Sequence, residues 1–108
     1  MKLASIFLAL ALNTPEGYQD YAFKYIEKYE RPCIKELWRL ESNWRPQAKS
    51  PTHDYGIPQR HMKHNTKKQI KKFRADPIEQ IDWGIGYVRH RYGDFCKALD
   101  HHRARGWY

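Results

Sequence analysis

Arg31-Pro32-Cys33-Ile34-Lys35-Glu36-Leu37-Trp38-Arg39-Leu40-Glu41-Ser42-Asn43-Trp44 reads as a helix with one apolar side. Pro32 suits a first turn, where its missing N–H leaves nothing unsatisfied. Ile34, Leu37 and Trp38 form one stripe with Cys33 at its edge, and Glu41 falls seven, four and three positions after the first three, on the same face. A carboxylate on a buried face is costly unless it is paired or protonated, and desolvation raises its pKa. The negative end of the helix dipole acts in the same direction on a residue in the last turn. Two roles fit this spacing: a core acid paired with one of the many Arg or Lys side chains, or a carboxyl group that holds a proton near neutral pH and can donate it.

Working outward, the spacing predicts a mainly α-helical domain. Thr14-Pro15 opens a first helix, predicted to run to Tyr29 because Tyr18, Tyr21, Ala22, Tyr25, Ile26 and Tyr29 recur at helical spacing. The second helix is the Pro32–Ser42 stretch, stopped before Pro46. Residues 43–65 are rich in Asn, Ser, Pro, Thr and Gly without a period and read as loop. Thr66-Lys67-Lys68-Gln69 matches a capping box for a short basic helix. Asp76-Pro77 starts a longer one, with Ile78, Ile81, Ile85, Val88 and Tyr92 as its inward stripe and Gly93 as its end. Asp94 caps a last helix with Phe95 and Leu99 inward. Gly84 and Gly86 each cost about 1 kcal/mol against Ala inside a helix, which predicts close packing there, against the Glu41 helix.

At 108 residues the chain suits one compact domain, and no stretch is long enough to span a membrane. Residues 1–11 read as an export signal, with Lys2, an apolar run from Leu3 to Leu10 and Ala9-Leu10-Ala11 as a small-x-small site; residues 12–108 are then the domain. A short buried N-terminal helix or strand also fits. The net charge of +8 favours polyanions such as peptidoglycan with its carboxylates, nucleic acid or anionic membranes, without choosing among them. Eight Tyr and four Trp suit both a small core and a sugar groove. Cys33 and Cys96 are either free or bridged; export implies a bridge, closing a loop of over sixty residues for roughly 4 kcal/mol. His61-x-x-His64 and His101-His102 lack a third ligand, so no metal and no cofactor is expected.

After Glu41-Ser42 come Tyr55-Gly56-Ile57-Pro58-Gln59, the helix holding Gly84-Ile85-Gly86-Tyr87, and Tyr92-Gly93. This order resembles the lytic transglycosylases of soluble-lytic type, in the lysozyme-like superfamily, from about Tyr18 to Tyr108. The variant with Gly-Ile-Pro-Gln, a Cys before Leu-Trp, a Cys after Tyr-Gly and a terminal Gly-Trp-Tyr is similar to small secreted and phage-associated members. The resemblance implies a small lysozyme-like helical domain with a long active-site loop between the catalytic helix and the later helices. It implies Glu41 as the catalytic acid, with Ser42, Tyr55, Gly56, Gln59 and Tyr87 around the sugars. By residue chemistry alone, Tyr55–Gln59 is as well a plain turn and Tyr87 a core side chain. One departure stands out: the family's Ala-Tyr-Asn-Ala-Gly, whose Tyr contacts the catalytic Glu, is here Ala98-Leu99-Asp100-His101-His102. His101 or His102 is the candidate substitute.

Glycoside cleavage ordinarily needs two carboxyl groups about 5 to 9 Å apart. The resemblance implies a reaction that needs one: Glu41 cleaves the MurNAc–GlcNAc β-1,4 bond as acid and then base, leaving a 1,6-anhydromuramoyl end. Asp54 is the candidate second acid for a hydrolytic lysozyme on the same fold. A third possibility is a non-catalytic basic module for cell wall or nucleic acid, working through Lys63 to Arg74. The favoured expectation is an exported monomeric enzyme, periplasmic, extracellular or virion-associated, acting on peptidoglycan glycan strands and not on nucleic acid.

Overall fold

Each helix begins where the sequence supplies a cap. The computed structural model describes residues 13–108, so the predicted export signal at 1–11 lies outside the described residues. The Thr14 hydroxyl accepts from Gly17 N at 3.0 Å and opens α1, Pro15–Phe23. The second helix, α2, is Arg31–Ser42, and a hairpin of β1, Asp54–Tyr55, and β2, Arg60–His61, follows. The capping box of Thr66 and Gln69 opens α3, Lys67–Arg74. Asp76 caps α4, Pro77–Arg91, and Asp94 caps α5, Phe95–Arg105. The domain is mainly helical, in agreement with the lysozyme-like helical domain predicted above.

One predicted boundary changes. Helix α1 ends at Phe23, six residues before the predicted Tyr29, after its last turn tightens through Lys24 N to Tyr21 O and Tyr25 N to Ala22 O. Tyr25 and Tyr29 share the helical period but lie exposed, so no buried face rewards continuing the helix. A short 3₁₀ turn, Lys28–Glu30, instead brings the Glu30 carboxylate inside. One Glu30 oxygen accepts from Glu27 N and the other from Phe95 N at 2.9 Å, capping α5 from across the fold. Helix α2 ends at Ser42 as predicted, where Asn43 takes the left-handed conformation (φ 53°) that ends helices.

The predicted loop at 43–65 contains the hairpin, with Asp54 opposite His61 and Tyr55 opposite Arg60. Gly56 turns the chain at φ +80°, and a Cβ there would sit 2.5 Å from Gln80 Oε1. That oxygen accepts from Ile57 N at 2.8 Å, while Gln80 Nε2 donates to Phe73 O and Pro46 O. A single buried amide from α4 thus satisfies three backbone groups and fixes the loop, as buried polar groups require.

The main core packs α2 against α4 and α5 around Trp38, whose ring meets Trp44 and Phe95 edge-on at 5.2 and 5.4 Å. Of the predicted α4 stripe, Ile81, Ile85 and Val88 are buried, with Ile78 and Tyr92 half-buried at its ends. Gly84 packs as expected: a Cβ would meet Trp38 Cζ2 at 2.5 Å and Pro58 Cβ at 2.9 Å. Gly86 does not; it is exposed with nothing within 4 Å. Cys33 and Cys96 form a disulfide that ties the start of α2 to the start of α5 across 63 residues, worth roughly 4 kcal/mol by loop entropy. Together with Glu30, it holds the Glu41 helix and the helix carrying His101 and His102 in fixed register.

Candidate active site

Glu41, next to last in α2, turns its side chain into a cavity of about 240 Å³, where it is 15% exposed. The opposite wall comes from the hairpin, through Thr52, Asp54 and Gln59, and the end from Trp107 and Tyr108. Asp54, Gln59 and Tyr108 also line a neighbouring cavity of about 210 Å³ reaching Trp83 and Tyr87. The two spaces share these three residues and form one cleft running past Glu41.

The two carboxyl groups in this cleft have opposite environments. Burial, and then the negative charge of Asp54, push Glu41 up from 4.5 to about 7. Burial also acts to raise Asp54, but hydrogen bonds from Ser50, Thr52 and His61 outweigh it and hold Asp54 below its usual value. Those bonds are short: Ser50 Oγ at 2.6 Å, Thr52 Oγ1 at 2.5 Å and His61 Nδ1 at 3.0 Å. A site that pushes two acids apart in this way lets one hold its proton up to about pH 7 while the other stays ionised.

His102 Nε2 lies 2.9 Å from Glu41 Oε1, both side chains nearly buried. The contact has the geometry of an ion pair, but the proton affinities argue against one. Burial, and then the charge of His101, lower His102 below its usual value, while Glu41 is raised. Below about pH 7 Glu41 therefore carries its own proton, and the His102 it faces at 2.9 Å is disfavoured as a cation.

The other residues singled out from sequence separate into three groups. Gln59 and Tyr87 line the cleft; the Gln59 amide donates to Gly56 O at 3.0 Å, and Tyr87 stacks on Trp83 at 5.1 Å. His101 is turned away from Glu41: its Nδ1 donates to Trp107 O at 2.9 Å and its ring packs on Trp107 and Tyr92. Ser42, Tyr55 and Gly56 lie outside the lining of the cleft. Ser42 is buried and donates to Ile57 O at 2.7 Å, fastening the loop to the end of α2. Tyr55 points to the other side of β1, into a second core with Met62 and Phe73, because strand neighbours alternate faces. Gly56 is the buried turn against Gln80.

Sequence reading passed over Tyr108 except as part of a terminal motif. Its hydroxyl accepts from Trp38 Nε1 at 2.9 Å and donates to Pro58 O at 2.6 Å, joining α2 to the hairpin at the floor of the cleft. Burial, then the charge of Glu41, raise this phenol well above its usual value, so it stays neutral. Trp83 and Gln80 were also unassigned; a Gln inside an apolar helical stripe was the available signal for Gln80. Among the described residues, no cluster of three or more His, Cys, Asp or Glu could hold a metal ion, and no helix is long and apolar enough to cross a membrane.

A family model described as the transglycosylase SLT domain matches residues 20–104. No curated protein and no solved structure gives a significant match.

Proposed function

The chain belongs to the transglycosylase SLT domain family, enzymes that act on peptidoglycan, and from that premise we propose that Glu41 carries both proton transfers of a lytic transglycosylase. In its neutral form Glu41 gives its proton to the glycosidic oxygen between MurNAc and GlcNAc, and the bond from C1 to that oxygen breaks. The carboxylate left behind takes the proton from the muramoyl 6-hydroxyl as that oxygen bonds to C1. The products are a free GlcNAc 4-hydroxyl and a 1,6-anhydromuramoyl end, and Glu41 regains its proton without water.

The observation that carries this reading is the Glu41 carboxyl, raised to about 7 inside a cleft. Such a value suits a group that must first donate and then accept at neutral pH. His102 faces the protonated Glu41 carboxyl at 2.9 Å and gives way to the glycosidic oxygen when the strand binds. Asp54, kept ionised, faces the positive charge that develops at C1 and helps hold the Glu41 proton. Gln59 and the Trp83–Tyr87 face provide amide and ring contacts for sugars. The disulfide fits an oxidising compartment and supports export.

The same Asp54 supports a second reading, a hydrolytic lysozyme in which it assists attack by water. Digestion of purified peptidoglycan with mass analysis separates the two, since the anhydro product is lighter by one water. Anhydro ends from the parent, with none from Glu41→Gln, are expected. Reducing ends alone would favour hydrolysis, and parental rates from Glu41→Gln would end the assignment of Glu41.

A further inference from the structure

On the side of β1 opposite the cleft lies a separate groove of about 440 Å³, sharing no lining residue with the cleft. The strand separates the two spaces: Asp54 faces the cleft and its neighbour Tyr55 faces the groove. Four cations line it. Lys67, Lys71 and Arg74 stand at i, i+4 and i+7 on one face of α3. Lys49 comes from the segment bridged to Tyr55. None of the four forms an ion pair among the described residues, and no acid lines the groove.

This is more than a solvated charge run, because Arg74 is fixed in place at its centre. Arg74 Nη2 donates to Gln47 O at 2.6 Å, Gln47 Nε2 donates to Arg74 O at 2.9 Å, and the guanidinium lies 5.6 Å from the centre of the Tyr55 ring. Arg74 Nε is buried without a partner. Between the cations the lining is mostly apolar, from Tyr55, Ile70 and Ala75, with Gln47 beside Arg74. Unpaired like charges drawn around one groove repel each other until an anion enters. A cationic rim over an apolar floor fits carboxylates carried on a chain with small apolar side groups.

We propose that this groove binds an acidic peptide, the carboxylate-bearing stem attached to the muramoyl units of the strand. This rests on the peptidoglycan reading of the cleft, and it makes the enzyme prefer strands whose stems are intact. The test compares parent and a Lys67→Ala/Lys71→Ala double variant, both exposed lysines remote from Glu41, on intact strands and on strands stripped of peptide by an amidase. On intact strands the variant should lose about three- to tenfold in kcat/KM at low salt, less at high salt, and nothing on stripped strands. An equal loss on both substrates, or no loss on either, overturns the proposal.

A second measurement does not depend on catalysis: titration of Glu41→Gln protein with the free stem peptide, followed by amide chemical shifts. Shifts should appear at Tyr55, Ile70 and Lys71 and vanish in the added lysine double variant. No shifts there overturn the groove whatever the state of the cleft. Shifts with no anhydro products from the parent would sink the catalytic reading and leave the groove standing. Stronger displacement by poly(glycerol phosphate) than by the peptide would also overturn the proposal, assigning the groove to a phosphodiester polymer.

Discussion

Replacing Glu41 by Gln should abolish activity and yet make the protein more stable at neutral and alkaline pH. The folded protein raises Glu41 from 4.5 to about 7, chiefly by burial. A raised value means the native state binds this proton more tightly than the unfolded chain does. The stability tied to that proton is full below about 4.5 and is lost as pH rises through about 7. At about 1.4 kcal/mol for each tenfold change in proton affinity, the shift corresponds to about 3 kcal/mol. The side chain is 15% exposed, so partial solvation trims this, and about 1 to 3 kcal/mol is the working range. Gln has the same shape, keeps an N–H to donate to His102, and never ionises. Urea unfolding of both proteins from pH 4 to pH 8 isolates the effect, since every other titrating group is common to the pair. The difference in favour of Gln should be near zero at pH 4, grow through pH 6 and level off above pH 7. A Gln variant less stable than the parent at pH 7 would refute the reasoning: Glu41 would then be a carboxylate paired with a charged His102, and its removal would strand a buried cation.

The alkaline limb of kcat/KM should have its midpoint near pH 7, leaving about one tenth of the limiting rate a full unit above it. Asp54→Asn should move that midpoint to lower pH, because a neighbouring negative charge no longer favours the Glu41 proton; an unmoved limb would remove Asp54 from the electrostatics of the cleft. Gly84→Ala should cost about 1 to 3 kcal/mol, because its Cβ would press on Trp38 and Pro58. Gly86→Ala, in open space on the same helix, should gain up to about 1 kcal/mol; thermal unfolding of the two variants reads the contrast, and equal effects would contradict the packing described.

Much of the fold was legible because its signals are local. Thr14, Thr66, Asp76 and Asp94 each cap the helix they were predicted to cap, since capping depends on residues only three apart. The placement of Glu41 followed from the period of α2 in the same way. The misread elements were those whose local pattern permits two answers. Tyr25 and Tyr29 keep the helical spacing of α1, but only long-range packing reveals that they face solvent. A two-residue strand is too short to show alternation, so the opposite facing of Asp54 and Tyr55 had no signature in the sequence.

The site was legible to the same depth and no further. A helix period can say which face an acid occupies, but not what it meets there. His101 and His102 differ by about 100° around α5, and the anchoring of α5 by Glu30 and the Cys33–Cys96 bridge decides which imidazole reaches Glu41. Tyr108 reaches the cleft floor through bonds to Trp38 and Pro58, 70 and 50 residues away. The Glu41 proton is held by the same non-local contacts. Helix α2 supplies the carboxyl, the hairpin supplies the opposing charge of Asp54, and burial by α5 and the C-terminal residues supplies the larger effect. A substitution that loosens the hairpin or α5 without touching Glu41 would therefore lower its proton affinity by readmitting water. On this argument, catalytic acidity in so small a domain depends on the packing of the whole fold.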